Sequence, residues 1–256
     1  MKNYITISQE EQNNLIQSLR NRSDVEAQRM LRYYDMPDLT RTSGNPVYLA
    51  IEAITKIPRY TDFDIIETPE VVGVYETFDL FWFADNHPAR SHSDTYYVTD
   101  DRILRTHTTV AWYYYLTRSD IQKELEANGY IGALSYGKVY RRDEIDRSHM
   151  NVFHQIDGFY ICEKSKKIIG KEELVEVLTE LTQSIFGENV EYRISDDTFP
   201  YTDPSVEIEV KVGDRWLEIL WAGVIKWEVL ENLGIDSSRY NGWAYGPGIE
   251  RIVMAK

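Results

Sequence analysis

One short stretch of the chain holds most of the side chains that could take part in catalysis. It spans residues 137–159, reads GKVYRRDEIDRSHMNVFHQIDGF, and contains two adjacent arginines, several acids, two histidines and a glutamine. A guanidinium group pairs its N–H donors with two phosphate oxygens, so Arg141 could bind a phosphate. A solvated ion pair of Arg141 or Arg142 with Asp143 or Glu144 is the alternative.

The pattern around these residues predicts a hairpin that positions them. Residues 139–141 are typical of the end of a strand, 143–151 of a polar loop and 152–161 of a return strand, because hydrophobic runs flank a turn-rich centre. The charged side chains would then lie at the tip and on the inner face of a long antiparallel hairpin.

The strand VYRRDEID followed by FHQIDG resembles motif 2 of the class II aminoacyl-tRNA synthetases, in its phenylalanyl-tRNA synthetase version. The resemblance implies that this hairpin binds ATP and the amino acid. The implied roles are Arg141 on the α-phosphate, Asp143 at the ATP site, His149 on the phosphate tail, Phe153 against adenine, Gln155 at the amino acid's polar end and Asp157 as a second ligand for its ammonium group.

Composition indicates an ordinary globular protein. With 256 residues, 43% of them hydrophobic, the chain can form one large domain or one domain with a short appendage. It has no apolar run long enough for a membrane span and no signal-peptide pattern at its start, so we expect a cytoplasmic protein without membrane contact. The net charge of −14 disfavours a broad basic face, so any tRNA contact must be local or supplied by another chain.

Metal-binding residues are few. The single cysteine, Cys162, excludes an internal disulfide framework and a cysteine-based zinc site. His87 and His92 could suggest a metal pair, but no third ligand lies nearby in the sequence, and a turn set by Pro88 is the better interpretation.

The first part of the chain predicts a short helical extension over residues 1–42, followed by a catalytic domain over 43–256. Residues 8–11, SQEE, predict a capping box with a helix after it, and a second helix covers 24–34. A helix over 46–57 and a strand interrupted by Pro69 resemble synthetase motif 1, which implies a homodimer interface.

Residues 104–109, LRTHTT, resemble the synthetase stretch that lines the amino-acid site. The resemblance implies that His107 and Thr109 hold the polar end of the substrate. A strand leading into a helix capped by Thr108 or Thr109 is compatible with that role.

The second half of the chain predicts an amphipathic helix over 171–186 and antiparallel strands on either side of Gly213. Residues 197–205, DTFPYTDPS, resemble the synthetase segment that holds the phenylalanine ring, which implies that role for Phe199 and Tyr201. Two core aromatics around a kink are the alternative. Glu218, on a predicted strand, is a candidate Mg²⁺ ligand because ATP chemistry needs a hard cation held by carboxylate oxygen.

The last residues, YNGWAYGPGIER at 240–251, resemble synthetase motif 3. Small residues at alternate positions let a strand approach a flat ligand closely. The implied roles are Arg251 on the γ-phosphate, Gly248 at the nucleotide, and Ala244 and Gly246 at the amino acid.

Two tryptophans depart from the synthetase pattern. Trp112 stands where these enzymes have a glutamine, and Trp221 where they have a glycine. Trp112 lies in an aromatic run, AWYYYL, that is also typical of a core helix. Trp221 could close the space that a glycine leaves, or turn away from it.

Together these resemblances imply an α+β protein with the class II aminoacyl-tRNA synthetase fold, a mostly antiparallel sheet flanked by helices. They imply a phenylalanine–tRNA ligase catalytic chain that uses ATP and Mg²⁺ on L-phenylalanine and tRNA(Phe), as a homodimer or with a beta subunit. Arg141 and Arg251 would be its catalytic residues. The alternatives are a paralogue that passes the aminoacyl group to another acceptor, and a non-catalytic pseudo-synthetase subunit.

Overall fold

The computed structural model describes residues 3–142 and 150–256, so the predicted ATP ligands Asp143 and His149 lie outside the described part of the chain. The strands are β1 (Tyr4–Thr6), β2 (Asp64–Glu67), β3 (Val71–Gly73), β4 (Arg102–Leu104), β5 (Tyr130–Tyr140), β6 (Val152–Glu163), β7 (Tyr192–Phe199), β8 (Thr202–Val212), β9 (Arg215–Ile225) and β10 (Tyr240–Tyr245). Eight of them form one sheet in the order β1-β2-β5-β6-β10-β9-β8-β7, and β3 pairs with β4 separately.

In this order each neighbouring pair from β5 through β6, β10, β9 and β8 to β7 is antiparallel. The pairs β1–β2 and β2–β5 are parallel. The fold is therefore α+β with a mostly antiparallel sheet, as the sequence predicts. The strand β1 lies within the predicted N-terminal extension and yet pairs with β2 at the edge of this sheet.

Helices cover both faces of the sheet. They are α1 (Glu10–Arg20), α2 (Val25–Tyr34), α3 (Pro46–Thr55), α4 (Val74–Thr77), α5 (Ala111–Leu116), α6 (Ser119–Asn128), α7 (Lys171–Phe186), α8 (Trp227–Asn232) and α9 (Ile249–Ala255). The apolar faces of α3, α7 and α9 share one buried cluster with the sheet, and those of α5, α6 and α8 share another. The prediction of α7 is confirmed over its whole length.

The predicted hairpin is confirmed as β5 and β6, which pair continuously from Tyr130 opposite Cys162 to Tyr140 opposite Val152. Gly137 in β5 has a steric role, because a Cβ there would lie 2.4 Å from an Nη atom of Arg105. The buried Arg105 side chain donates to the carbonyl of Lys138 at 2.7 Å and to the Thr68 hydroxyl at 2.8 Å. These bonds tie the end of the hairpin to the segment after β2.

Two capping predictions are wrong. Helix α1 begins after Gln9 without a side-chain cap, and the Ser8 hydroxyl only accepts from the Glu10 amide at 3.4 Å. Neither Thr108 nor Thr109 caps α5, which follows a 3₁₀ turn over Thr108–Val110. The hydroxyl of Thr109 is engaged elsewhere, by a buried carboxylate.

Pro69 does not bend a single strand, because β2 and β3 on either side of it belong to different sheets. His87 precedes a 3₁₀ turn over Pro88–Arg90 and accepts from the Ala89 amide through Nδ1 at 3.2 Å, as expected for a turn-setting residue. Within residues 3–142 and 150–256, no helix is long and apolar enough to cross a membrane, and no group of three or more His, Cys, Asp or Glu is placed to hold a metal ion.

Candidate active site

A cavity of about 570 Å³ lies among β6, the β7–β8 turn, β9 and α9. It gathers side chains that are far apart in sequence and that the synthetase resemblance assigns to two substrates. The predicted nucleotide ligands on its wall are Arg141, Phe153, Glu218, Gly248 and Arg251. The predicted amino-acid ligands on its wall are His107, Thr109, Gln155, Phe199, Tyr201 and Gly246.

The end of the cavity with the predicted nucleotide ligands, called the nucleotide end, combines cations with an aromatic face. Arg141 follows β5 directly, and its guanidinium carbon lies 5.1 Å from the centre of the Phe153 ring. Its Nε donates to the Thr106 carbonyl at 3.3 Å. Arg251, on the first turn of α9, pairs with Glu218 at 3.2 Å, and both side chains are nearly half exposed. Cations of this kind can exchange their present partners for phosphate oxygens.

Hydrogen bonds between neighbouring elements hold α9 in position. Glu250 accepts from the His154 backbone amide through both carboxylate oxygens, at 3.1 and 3.0 Å, and lies 2.6 Å from His154 Nδ1. Because His154 Nε2 accepts from the Leu39 amide at 3.0 Å, Nδ1 is the ring atom that carries the hydrogen. Glu250 therefore holds Arg251 beside the strand that presents Phe153.

Gln155 lies at a second junction between β6 and the last segment of the chain. It forms an isolated antiparallel bridge with Gly248, and the Ile156 amide donates to the Pro247 carbonyl at 3.2 Å. The side-chain oxygen of Gln155 accepts from the Thr108 amide at 3.3 Å. Its amide nitrogen is the donor that a substrate carboxylate could use.

His107 lines the cavity and has one unprotonated ring nitrogen. Its Nε2 lies 3.2 Å from the Thr77 carbonyl, which makes Nε2 the donor and Nδ1 the acceptor. Within the described residues, Nδ1 is buried and has no hydrogen-bond partner. Burial, helped by the nearby charge of Arg141, lowers the pKa of His107 to about 3, so the ring stays neutral at physiological pH.

Asp157 lies directly behind the wall of the cavity. The indole N–H of Trp112 donates to its Oδ1 at 2.6 Å, and the Thr109 hydroxyl donates to its Oδ2 at 2.7 Å. Burial raises the pKa of Asp157 to about 7, although both hydrogen bonds act in the opposite direction. A cation bound next to Thr109 would favour the ionised form of the Asp157 carboxyl group, because opposite charges attract.

The end of the cavity with the predicted ligands of the phenylalanine ring, called the amino-acid end, is a group of aromatic rings. Tyr201 is 9% exposed and contacts Phe83, with ring centres 6.2 Å apart, and Trp221, edge to face at 5.6 Å. Phe199 lies 4.6 Å from Trp221. The two tryptophans thus take different places, because Trp221 lines the cavity and Trp112 is fully buried behind Tyr201.

Phe83 is part of this wall because of an unusual backbone conformation. The preceding residue, Trp82, is in the left-handed region with φ 60°, and its exposed side chain points away while Phe81 and Phe83 both approach Tyr201. Arg90 donates to the Phe83 carbonyl at 2.9 Å and stabilises the turn. His87 lines the cavity and Arg90 holds the turn, so residues 87–90 support this wall.

Some predicted residues are not on the wall. Ala244 is fully buried in β10 and packs in the cluster that contains Tyr201, and Asp157 lies behind Thr109 and Gly246. Sequence reasoning missed Phe83 and the pair His154 and Glu250, although the last two stand inside the recognised FHQ and IER segments.

This fold and this cavity define a class II synthetase core, and residues 33–256 match the family model described as "tRNA synthetases class II core domain (F)". The chain belongs to the class II aminoacyl-tRNA synthetase family, which confirms the resemblance seen in the sequence.

Similar proteins narrow the relationship within that family. The chain is 37% identical over 224 residues to the phenylalanine–tRNA ligase alpha subunit of Thermotoga maritima, covering 86% of this chain and 65% of that protein. The corresponding subunit of Anoxybacillus flavithermus is 34% identical over 230 residues, covering 85% of this chain and 64% of that subunit. The chain thus spans slightly less than two thirds of these relatives' length.

The fold itself is similar to a solved synthetase structure. The pyrrolysyl-tRNA synthetase of Desulfitobacterium hafniense superposes with a TM-score of 0.60 at 17% identity, covering 96% of this chain and 77% of that one.

Proposed function

We propose that this chain is the catalytic chain of a phenylalanine–tRNA ligase, which activates L-phenylalanine with ATP and passes it to tRNA(Phe). One observation carries the proposal: a single cavity has two arginines and an aromatic face at one end and a group of buried and half-buried aromatic rings at the other. Similarity to subunits named phenylalanine–tRNA ligase alpha supports the same substrate.

The first step needs no nucleophile from the protein. A carboxylate oxygen of phenylalanine attacks the α-phosphorus of ATP, the bond to the β-phosphate oxygen breaks, and pyrophosphate leaves. Arg141 would neutralise charge at the α-phosphate, Arg251 at the γ-phosphate, and Phe153 would stack on adenine. Asp143 and His149 are proposed to extend the same site from outside the described residues.

Magnesium fits this site as a substrate-bound ion. Mg²⁺ is commonly held by one or two carboxylates together with substrate phosphates, so it does not need a cage of protein ligands. Among the described residues two carboxylates line the cavity, and because Glu250 is bound to His154, Glu218 beside Arg251 is the one that would hold the ion. Bound there, the ion would neutralise phosphate charge, and Gly248 would leave room for the nucleotide beside it.

The substrate's polar end would bind where neutral acceptors meet a buried carboxyl group. His107 Nδ1 would accept from the ammonium group, Gln155 would donate to the carboxylate, and Thr109 would connect the ammonium to Asp157. The ring would rest against Phe199 and Tyr201, with Gly246 forming bare backbone beside it and Ala244 supporting the wall from behind.

We also propose the setting in which the chain works. The relatives are named as alpha subunits, which supports a complex with a beta chain, and a homodimer through the motif 1 region is the other assembly. A beta chain would supply the tRNA contacts that a net charge of −14 disfavours here. The proposed units are an extension over 1–42 and a catalytic domain over 43–256, acting in the cytoplasm.

Amino-acid-dependent exchange between ATP and pyrophosphate tests the proposal, with the purified chain, each of the twenty amino acids, and a beta chain added in parallel. Exchange with phenylalanine alone, lost in Arg141→Ala and retained in Arg118→Ala, is the expected result. Arg118 is a matched control because it pairs with Asp120 at the surface and does not line the cavity.

Exchange with a different amino acid, or none with the beta chain present, would contradict the proposed substrate or activity. Phenylalanine-dependent exchange without charging of tRNA(Phe) would favour a paralogue with another acceptor.

A further inference from the structure

At the amino-acid end of the cavity, a large side chain lies over a stretch of backbone without a side chain. Trp221 in β9 and Gly246 after β10 both line the cavity. A Cβ added to Gly246 would lie 3.0 Å from Cζ2 of Trp221 and 3.1 Å from Oδ2 of Asp157. The indole therefore occupies the space that the missing side chain of Gly246 leaves open.

Neighbouring rings hold the indole in this place. The Phe199 ring lies 4.6 Å from Trp221 at an interplanar angle of 31°, and the Tyr201 ring lies 5.6 Å away at 73°. Offset and edge-to-face pairs at these separations are favourable. Rotating Trp221 out of the cavity would break both contacts, so we treat the indole as a fixed part of the wall.

The surrounding wall has little freedom to adjust. Tyr201 also packs edge to face against the fully buried Trp112 and Phe81, with ring centres 6.2 and 5.7 Å apart. Closely packed aromatic groups yield poorly to added volume, and forcing extra atoms into such a site is destabilising. A substrate side chain that extends toward Gly246 would meet the indole rather than open backbone.

We propose that Trp221 sets the upper size limit of the side chain that this cavity admits, accepting one benzyl group and excluding larger ring systems. This inference rests on the proposed function, because it assumes that the aromatic end receives the amino acid's side chain. It assigns specificity to a residue on β9, outside the hairpin and outside the segment that carries Arg251.

Binding of two stable adenylate analogues measures this limit without requiring turnover. The probes are 5′-O-sulfamoyladenosine acylated with phenylalanine or with 2-naphthylalanine, titrated by calorimetry into the whole chain. Wild-type protein should prefer the phenylalanyl compound, and Trp221→Ala should shift the ratio of the two dissociation constants by about tenfold or more toward the naphthyl compound. The ratio for Trp221→Phe should lie between those of the wild type and Trp221→Ala.

Trp216→Ala is the matched control. Trp216 lies on the same strand, and the guanidinium carbon of Arg193 lies 4.6 Å from the centre of its ring. It does not line the cavity. It should leave the ratio unchanged. Far-ultraviolet circular dichroism and thermal unfolding of each variant establish that the fold is retained.

A second measurement does not depend on any ligand. Gly246→Ala should lower the unfolding temperature of the wild-type chain, because the new Cβ would contact the indole, and it should lower that of Trp221→Ala less. A ratio of dissociation constants that Trp221→Ala leaves unchanged, with the phenylalanyl compound still bound, would overturn this inference alone. Failure of both proteins to bind either compound would overturn the proposed function and this inference with it.

Discussion

The two ends of the cavity are built in opposite ways. At the nucleotide end the Arg251 and Glu218 side chains are 41% and 46% exposed and pair with each other, whereas at the amino-acid end Tyr201 is 9% exposed and surrounded by rings. Exposed ion pairs contribute little to stability and exchange partners easily. We therefore expect the nucleotide end to rearrange around phosphates and the amino-acid end to select its ligand by a fixed shape.

Hydrogen bonds and a backbone bridge between β6 and residues 248–250 join the two ends of the cavity. His154 and Glu250 link β6 to α9, and Gln155 pairs with Gly248 in between. Phe153 and Gln155 are two residues apart and thus point to the same side of the strand. Under the proposed function, this spacing would let one strand contact both substrates.

The largest expected effect concerns the nucleotide end. Arg141→Ala should lower kcat/KM for ATP in the exchange reaction by about 100-fold to 1,000-fold, because it removes the cation that would stabilise the developing charge at the α-phosphate. KM for phenylalanine should change far less. Steady-state exchange kinetics at varied ATP and varied phenylalanine measure both, and an equal loss in the two would show that the ends are not separable.

The second substitution tests the amino-acid end. Tyr201→Ala should raise KM for phenylalanine by about tenfold or more while KM for ATP stays nearly constant, because the wall contacts with Phe83, Trp112 and Trp221 are lost. Circular dichroism is needed to verify folding, since Tyr201 is buried. A rise in KM for ATP of similar size would contradict the division into two ends.

A pH dependence should distinguish Asp157 from its neighbours. Its pKa is raised by burial to about 7, so the carboxylate that attracts ammonium forms as pH rises through neutrality, and KM for phenylalanine should fall over that range. The pKa of His107 is near 3, and burial raises those of Tyr201 and Tyr245 above their usual range, so these groups do not titrate there. Asp157→Asn should have a higher KM that is insensitive to pH near 7.

The free energy of unfolding should depend on the same carboxyl group. Rising pH should improve substrate binding but lower the stability of the fold. A carboxyl group with a raised pKa favours the protonated native state, so its contribution to the free energy of unfolding declines as pH rises from about 4 to about 7. Asp157→Asn should remove that part of the pH dependence in urea unfolding. An identical pH profile in wild type and variant would rule out Asp157 as the titrating group.

The smallest expected effect concerns Glu218. Glu218→Gln should change the free energy of unfolding by less than about 1 kcal/mol, because its pair with Arg251 is exposed. The variant should need a higher Mg²⁺ concentration for half-maximal exchange if this carboxylate holds the ion. An unchanged Mg²⁺ requirement would place the ion elsewhere.

Much of this organisation could be predicted from sequence because it depends on local patterns. The β5–β6 hairpin follows from hydrophobic runs around a polar turn, and helix α7 from a regular apolar stripe ended by Gly187. The wall residue Phe83 could not be predicted in this way. Its direction depends on the left-handed backbone of Trp82, an arrangement that no residue pattern requires.

The two tryptophans show the same limit. Each replaces a residue that the synthetase pattern expects, and nothing in the sequence tells whether a large ring enters a cavity or a core. Packing across the sheet decides it: Trp112 finds a buried acceptor in Asp157, whereas Trp221 finds open space over Gly246. Likewise the hydroxyl of Thr109 binds a carboxylate 48 positions away and not its own helix.

The structure of the chain with phenylalanyl-sulfamoyladenosine bound tests the central claim most directly. The account predicts adenine against Phe153, the sulfamoyl group beside Arg141, and the benzyl group against Phe199 and Tyr201 with its edge toward Trp221. A ligand bound in the reverse orientation, or outside this cavity, would contradict the assignment of the two ends.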